Sequence, residues 1–399
     1  MRKAVIVIGC SYGDEGKGLA AAHAAAEMGK PCLNVLINGG AQRGHTVNLP
    51  DGRRHVFRHF GSGTLAGAES CMDEDFIVNP LLYMDERIEL QETFGICPEV
   101  MASARCRVTL PWDMMLGQII EENRGVNRHG SCGCGIFETR LRYEQTDWAL
   151  SLGELGKASE DTFRAYCRRL SGEYIPARLK AMGMAADVQW QQLLADERII
   201  VNAWADLQAM LKNLVLYDDW AAMAAKWPSL VFEAGQGLAL DENNRQDFPH
   251  LTPSQTTSLV SARRIAALPG QTNTELRYVT RTYLTRHGAG PFPTECPMES
   301  INPDIIDLTN VPNPHQQTIR YGWFDDRAVL DRVERDRTAA RCVLPEAVAA
   351  VMVTHLNETG GELAMNPRQP CRVTLTDFIS CFDLAYLSDS PWEVRQQKI

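Results

Sequence analysis

Residues 4–18 read Ala4-Val5-Ile6-Val7-Ile8-Gly9-Cys10-Ser11-Tyr12-Gly13-Asp14-Glu15-Gly16-Lys17-Gly18. The first five form a continuous apolar run, rich in branched side chains, as in a parallel strand buried on both faces. Gly9 to Gly18 then make a glycine-rich loop, and the alanine-rich stretch Leu19 to Met28 predicts a helix. Gly29-Lys30-Pro31 stops that helix, and Cys32 to Ile37 is the next apolar strand. Strand, helix and strand make a βαβ unit, which implies a parallel sheet. The expected fold is α/β: a mostly parallel central sheet, helices on both faces and a variant glycine-rich phosphate loop.

Glycines in such a loop let backbone amides approach a phosphate. The helix start adds positive potential, and Lys17 adds a charge. Gly13, Glu15, Gly16, Lys17 and Gly18 are therefore candidate phosphate-binding residues. An ordinary P-loop carries Ser or Thr after the lysine to hold magnesium; Gly18 stands there instead. Asp14 lies inside the loop, where a carboxylate could bind a metal or take a proton. The alternative is a plain strand-to-helix turn with a solvated acidic pair.

A second loop follows the second strand: Asn38-Gly39-Gly40-Ala41-Gln42-Arg43-Gly44-His45-Thr46. Loops leaving the carboxyl ends of adjacent strands share one crevice. With its strand taken as next to the first, His45 is expected to face Asp14, and a carboxylate and an imidazole flanking one substrate make an acid–base couple.

Helical spacing recurs over Trp112 to Asn123 and much of Leu150 to Lys226. Leu230 to Glu233, Tyr278 to Leu284 and Val348 to Thr354 return to strand, with a charged helix at Arg332 to Arg341. No repeat or Pro/Ser-rich linker divides the chain. One domain over 1–399 is expected, with a helical insertion around 112–226 and a frayed tail after Ser388.

Across 399 residues, 45% are hydrophobic and 23% charged, which excludes a disordered or fibrous chain. A net charge of −10 argues against a duplex nucleic-acid binder. No segment reaches the roughly 20 apolar residues of a membrane span, and the opening run lacks a signal-peptide cleavage site. No nucleic acid and no membrane are expected as partners, and the location is expected to be cytoplasmic. The 12 cysteines have no zinc-ribbon spacing and are read as reduced thiols.

GDEGKG at Gly13–Gly18 and GGxxxGHT at Gly39–Thr46 resemble the adenylosuccinate synthetase family, ligases that join aspartate to a purine 6-position. Ser62-Gly63-Thr64-Leu65 looks like the family's segment after its third strand. Phe232-Glu233-Ala234-Gly235-Gln236-Gly237 resembles its FEGAQG motif. Thr285-Arg286-His287-Gly288-Ala289-Gly290-Pro291-Phe292-Pro293-Thr294-Glu295 is similar to its TRVGAGPFPTE block, and Tyr321-Gly322-Trp323-Phe324-Asp325 to its TGWLD.

The resemblance implies Asp14 as the catalytic base and a magnesium contact. It implies His45 as the acid at the 6-oxygen, and the Gly44 carbonyl as a second Mg2+ ligand. Gly16 and Lys17 match the phosphate cradle, with Gly44 and Thr46 beside it. Asn38, Gln42, Ser131, Cys132, Gln236, Thr256, Thr257 and Arg286 match segments around the purine nucleotide. The chemistry needs these types because oxygen is a poor leaving group. Phosphorylating the 6-oxygen makes phosphate the leaving group, which the aspartate amine then displaces.

Three departures cluster around ligands. The family's Thr-Lys-Leu-Asp strand end, which reads guanine of GTP, is Thr354-His355-Leu356-Asn357 here. An amide at Asn357 suits adenine better than a carboxylate, which implies ATP. The family's arginine-rich aspartate loop corresponds to Asn313-Pro314-His315-Gln316-Gln317-Thr318-Ile319-Arg320. With one arginine in it, Arg320 is expected to share L-aspartate with Gln316, Gln317 and Thr318. Gln42 and Cys132 replace an asparagine and a threonine near the purine. The combination resembles the phage-encoded branch that turns dGMP, aspartate and ATP into N6-succino-2-amino-2′-deoxyadenylate, a 2-aminoadenine precursor. The alternatives are an IMP-using adenylosuccinate synthetase and a non-catalytic nucleotide-binding regulator. The family's shared site between subunits implies a homodimer.

Overall fold

The computed structural model describes residues 1–307, 310, 318–368 and 372–399. A ten-stranded sheet runs through it. In spatial order its strands are Arg395–Gln397, Leu384–Leu387, Val348–Thr354, Thr272–Arg281, Arg2–Gly9, Ser229–Gly237, Cys32–Leu36, Glu69–Met72, Val100–Ser103 and Leu214–Tyr217. Every neighbouring pair is parallel except the last at one edge, where Leu384–Leu387 meets Arg395–Gln397 antiparallel.

The opening strand shows why the reading of residues 4–8 holds. Ala4, Ile6 and Ile8 turn to one face, where they pack with Ile265 of the helix Leu259–Ala266 and with Val329 and Val333 of the helix Asp326–Arg341. Val5 and Val7 turn to the other face, against Ala20, Ala21, Ala24 and Ala25 of the helix Lys17–Met28. The alternation is the period of a strand, and both faces are covered. Alanine on the helix lets it approach the sheet closely.

A separate apolar cluster lies toward the Leu214–Tyr217 edge, around Leu36, Met72 and Val100. It draws in the helices Pro80–Phe94, Pro111–Arg124, Glu160–Arg169 and Glu197–Leu211. The stretch 112–226 is not wholly helical: Leu214–Tyr217 is a strand that closes this sheet edge. The tail after Ser388 also pairs instead of fraying, through Arg395–Gln397.

The strands Arg2–Gly9 and Cys32–Leu36 are not neighbours; Ser229–Gly237 lies between them and pairs with both. Sequence order could not show this, because the inserted strand arrives nearly 200 residues later. The crevice at the carboxyl ends therefore has a third wall between its first two loops.

Candidate active site

The Gly9–Gly18 loop takes its shape from left-handed backbone at Gly13, Asp14 and Gly16, with φ of 94°, 56° and 90°. Gly18 has a physical reason to lack a side chain: a Cβ there would lie 2.5 Å from the carbonyl oxygen of Thr46. The helix start is thus pressed against the strand His45–Asn48, and the hydroxyl of an ordinary P-loop has no room.

Glu15 turns into the loop. It is buried, and its Oε1 accepts the amide of Ser11 at 2.5 Å. Buried Lys17 lies 3.8 Å from its Oε2. Burial pushes the Glu15 carboxyl up to about 6, against the pull of Lys17 and the Ser11 amide. Burial lowers Lys17 from its ordinary value, while Glu15 opposes the change. A carboxylate offers no donor to phosphate, so Glu15 shapes the loop while Lys17 supplies charge. Arg332 braces the loop from below, donating to the carbonyl of Cys10 at 3.0 Å and to Ser11 Oγ at 2.9 Å.

His45 begins its strand and is buried. Its Nδ1 is 2.5 Å from Oε1 of Glu233, the charged member of the inserted strand. Arg43 Nη2 lies 2.8 Å from the same oxygen. Ser62 donates to Glu233 through its hydroxyl at 2.5 Å and its amide at 3.0 Å, and Asn34 Nδ2 donates at 3.0 Å. Burial works against the Glu233 anion, yet Arg43, His45 and Ser62 hold it well below the usual carboxylate range. Glu233 is therefore ionised and accepts a hydrogen bond from Nδ1–H of His45, which fixes the tautomer. The 2.9 Å approach of Arg43 to Nδ1 is then two donors meeting around one oxygen. Burial and Arg43 push His45 down to about 4, with Glu233 pulling upward. The resting imidazole is neutral, and a backing carboxylate stabilises the imidazolium when negative charge arrives opposite.

Asp14 does not bond to His45. Its Oδ2 accepts from Arg281 Nη2 at 2.5 Å and from Asn310 Nδ2 at 2.9 Å. The two groups are supported separately, and the strands that carry their loops are not adjacent, because Ser229–Gly237 stands between them.

The remaining expected residues divide by what their side chains already hold. Gln42 is half-buried, and both of its terminal amide atoms are buried without a partner among the described residues. Thr46 Oγ1 is likewise buried and unpartnered. Asn38 bridges to the inserted strand, accepting from the Gly235 amide at 2.8 Å and donating to its carbonyl at 3.3 Å. It thereby positions Gln236, whose φ of 65° is left-handed. Thr256 is fully buried, its hydroxyl donating to the Gly237 carbonyl at 3.0 Å; Thr257 beside it is half-buried.

Arg286 bonds to its own loop and to His250 through its two terminal nitrogens, while its Nε is buried without a partner among the described residues. It donates to the carbonyls of Pro291 and His250, each at 2.9 Å, and its guanidinium lies 4.8 Å from the Tyr12 ring centre. Ser131 is exposed and Cys132 half-buried, on a segment joined to that loop where Ala289 donates to the His129 carbonyl at 3.3 Å. Arg320 pairs with both oxygens of Glu295, at 2.8 and 2.5 Å, and donates to the Gly288 and Gly290 carbonyls. The lone arginine of the expected aspartate set is therefore already engaged. Thr318 is exposed, while Gln316 and Gln317 lie outside the described residues.

Thr354 Oγ1 donates to the Glu15 carbonyl at 3.0 Å, and Asn357 is exposed on the turn Leu356–Glu358. Gly44 is exposed at the crevice. Among the described residues no group of three or more His, Cys, Asp or Glu could hold a metal. One loop carboxylate with a loop carbonyl nonetheless suits magnesium, which draws most of its ligands from phosphate and water. No described cysteine is in a disulfide, and no described helix is long and apolar enough to cross a membrane.

Glu233, Arg43 and Arg281 pair with the candidate residues here and were not singled out from the sequence. For Glu233 and Arg281 a signal was available: each is a charge within or at the end of an otherwise buried strand, where an ionised group must be paired.

Comparison with known proteins agrees with this layout. A family model described as adenylosuccinate synthetase matches residues 6–344. The adenylosuccinate synthetase of Colwellia psychrerythraea is 29% identical over 356 residues, spanning 86% of this chain and 77% of that protein. That of Chromohalobacter salexigens is 27% identical over 352 residues, with the same two shares, 86% and 77%. Fully ligated adenylosuccinate synthetase from Plasmodium falciparum superposes with a TM-score of 0.63 at 18% identity, over 88% of this chain and 77% of that one. The succinoaminodeoxyadenylate synthetase of cyanophage S-2L, bound to dGMP and to dATP as an energy donor, superposes with a TM-score of 0.62 at 16% identity. That match covers 100% of this chain and 96% of the other. The family match takes in the loops that carry Asp14, His45, Gln236 and Arg286, and on that span the chain belongs to the adenylosuccinate synthetase family, ligases that join aspartate to a purine nucleotide.

Proposed function

We propose that the chain joins L-aspartate to the 6-position of dGMP at the expense of ATP, giving N6-succino-2-amino-2′-deoxyadenylate for 2-aminoadenine DNA in a phage. The observation that carries this is the Gln42 amide, on the same loop as His45, neither of whose terminal atoms has a hydrogen-bond partner among the described residues. A buried unpaired polar group costs about 1–3 kcal/mol. The 2-amino group of dGMP supplies the donor that Gln42 Oε1 lacks; IMP has only C–H at that position. A site built to bond such a group rejects the analogue without it. The cyanophage enzyme of the same fold is bound to dGMP and dATP, the acceptor and an adenine donor of this reaction.

In this reading Asp14 takes the proton from purine N1, and the 6-oxygen forms its bond to the γ-phosphorus as the bond to ADP breaks. The aspartate amine then bonds to C6, phosphate leaves and the amine releases a proton. His45, backed by Glu233, meets the negative charge at the 6-oxygen, and Lys17 meets that of the transferring phosphoryl group. Asp14 and the Gly44 carbonyl would hold Mg2+, which supplies charge neutralisation to the triphosphate. In the same reading the exposed Asn357 amide is what would meet the donor base, in place of the carboxylate that suits guanine. We further propose a homodimer acting in the host cytoplasm.

IMP is the second reading, favoured by the relatives near 28% identity, which are adenylosuccinate synthetases. Steady-state kinetics with IMP, GMP and dGMP, each crossed with ATP and GTP, separate the two. The highest kcat/KM is expected for dGMP with ATP; the highest for IMP with GTP would refute the proposal.

A further inference from the structure

The strands Thr272–Arg281 and Val348–Thr354 end side by side, with Arg281 and Thr354 as register partners. Each holds one carbonyl of the phosphate loop. Thr354 Oγ1 donates to that of Glu15 at 3.0 Å, and Arg281 Nε to that of Asp14 at 2.5 Å. Arg281 also grips the Asp14 side chain, through Nη2 to Oδ2 at 2.5 Å. A non-glycine residue at φ 56° is held in a costly conformation, and surrounding contacts must offset that cost. At Asp14 one guanidinium reaches both carbonyl and carboxylate, while Asn310 Nδ2 adds a contact to Oδ2 alone, at 2.9 Å.

The guanidinium is itself fixed. Its Nη1 donates to the hydroxyl of buried Tyr283 at 2.7 Å, and that hydroxyl donates to Oε2 of Glu358 at 2.5 Å. The donor directions run consistently, from cation to phenol to carboxylate. Glu358 closes the turn Leu356–Glu358, and Asn302 Nδ2 donates to its carbonyl at 2.7 Å. The Tyr283 ring packs at 5.9 Å from Tyr321 and 6.2 Å from His355, so its hydroxyl has little freedom.

We infer that Arg281, locked by Tyr283 and Glu358, is the positioning residue for Asp14: it holds the left-handed backbone there and engages Oδ2, so that Oδ1 is the oxygen offered to the acceptor nucleotide. This rests on the reading of Asp14 as the base.

The test is steady-state kinetics on purified Arg281→Met, Arg281→Lys, Tyr283→Phe and Glu358→Gln, with whichever acceptor and donor the wild-type chain uses. Misplacing a reacting group by about 1 Å can cost about 100-fold, so Arg281→Met should lower kcat by about that factor. Arg281→Lys should recover part of the loss, because it returns the charge without the two-point grip. Tyr283→Phe and Glu358→Gln should each lower kcat about tenfold with KM values within about twofold, and their combination should be no worse than the poorer single variant. An unchanged kcat in Tyr283→Phe overturns the inference. So does a rise in KM with kcat intact, or additive losses from Tyr283 and Glu358. Should Arg281→Met fail to fold, Tyr283→Phe, which removes one hydroxyl, decides the matter. Asp14→Asn keeps the two readings apart. If it is inactive while the Arg281 and Tyr283 variants are normal, the inference alone fails; if it is active, the reading of Asp14 fails.

Discussion

Oε1 of Glu233 sits 2.5 Å from Nδ1 of His45, across 188 residues of sequence. The pairing exists because Ser229–Gly237 enters the sheet between the strands that carry the two glycine-rich loops. An imidazole with Nδ1 tied to an anion has one tautomer and one orientation, and its conjugate acid is stabilised where it stands. His45 thus has a partner that its own loop does not contain.

Glu233→Gln should damage both activity and stability. The amide keeps the shape but leaves buried Arg43 without its anion, and breaking a buried pair from one side costs about 3–5 kcal/mol. Loss of the backing carboxylate should lower kcat by about 10²–10⁴, the range of positioned acid–base groups. Urea unfolding and kcat on the same preparation check both. A variant with wild-type kcat would remove Glu233 from the account.

Asp14→Asn and His45→Ala should each abolish turnover, and each should lower the unfolding midpoint by less than Glu233→Gln does, because buried Arg281 and Glu233 each lose one partner but keep others. Neither side chain belongs to the apolar clusters, and each does charge or proton work worth about 10²–10⁴ in rate. Thermal melts beside product assays test this. Near-normal activity in either variant would show the assignment to be mistaken.

What the sequence could show here was local. The run Ala4–Ile8 has a strand's composition, alanine marks the helix that follows, and Val348 to Thr354 is bounded as the structure has it. Pairing order is not local, so the insertion of Ser229–Gly237 and the edge strand Leu214–Tyr217 stayed hidden. The same holds at the site. Motif spacing pointed to Asp14 and His45 but not to the ions that pair with them, Arg281 and Glu233, which are distant in the chain. Arg320 is a like case: its place in a motif says nothing of the ion pair that it makes with Glu295.

Glu15 imposes a pH dependence on stability. Burial raises its folded-state carboxyl from 4.5 to about 6, so the folded chain keeps a proton that the unfolded chain releases. The contribution is fully present below the unfolded value and lost as pH rises through about 6. His45, lowered from 6.5 to about 4, acts oppositely: its contribution is present above the unfolded value and lost as pH falls toward about 4. Comparing Glu15→Gln with wild type isolates the first effect. The variant should gain about 2 kcal/mol relative to wild type between pH 4.5 and pH 7, by urea unfolding at both. An equal stability difference at the two pH values would contradict it.

Asn357→Asp should move donor preference from ATP toward GTP. A well-placed base contact discriminates by about 1–3 kcal/mol, which is roughly 5- to 150-fold in kcat/KM. The exposed position on the turn makes the substitution harmless to folding. The ratio of kcat/KM for the two donors, before and after the change, measures it. A wild-type preference for GTP would end the argument from Asn357.

The acceptor is the central claim, and a direct competition tests it with least ambiguity. Equimolar dGMP and IMP are offered together with ATP, L-aspartate and magnesium, and the two succinyl products are counted by mass spectrometry at low conversion. Their ratio is the ratio of kcat/KM. The unsatisfied Gln42 amide predicts an excess of N6-succino-2-amino-2′-deoxyadenylate, by about 5-fold or more for one buried hydrogen bond. Adenylosuccinate as the major product would contradict the account.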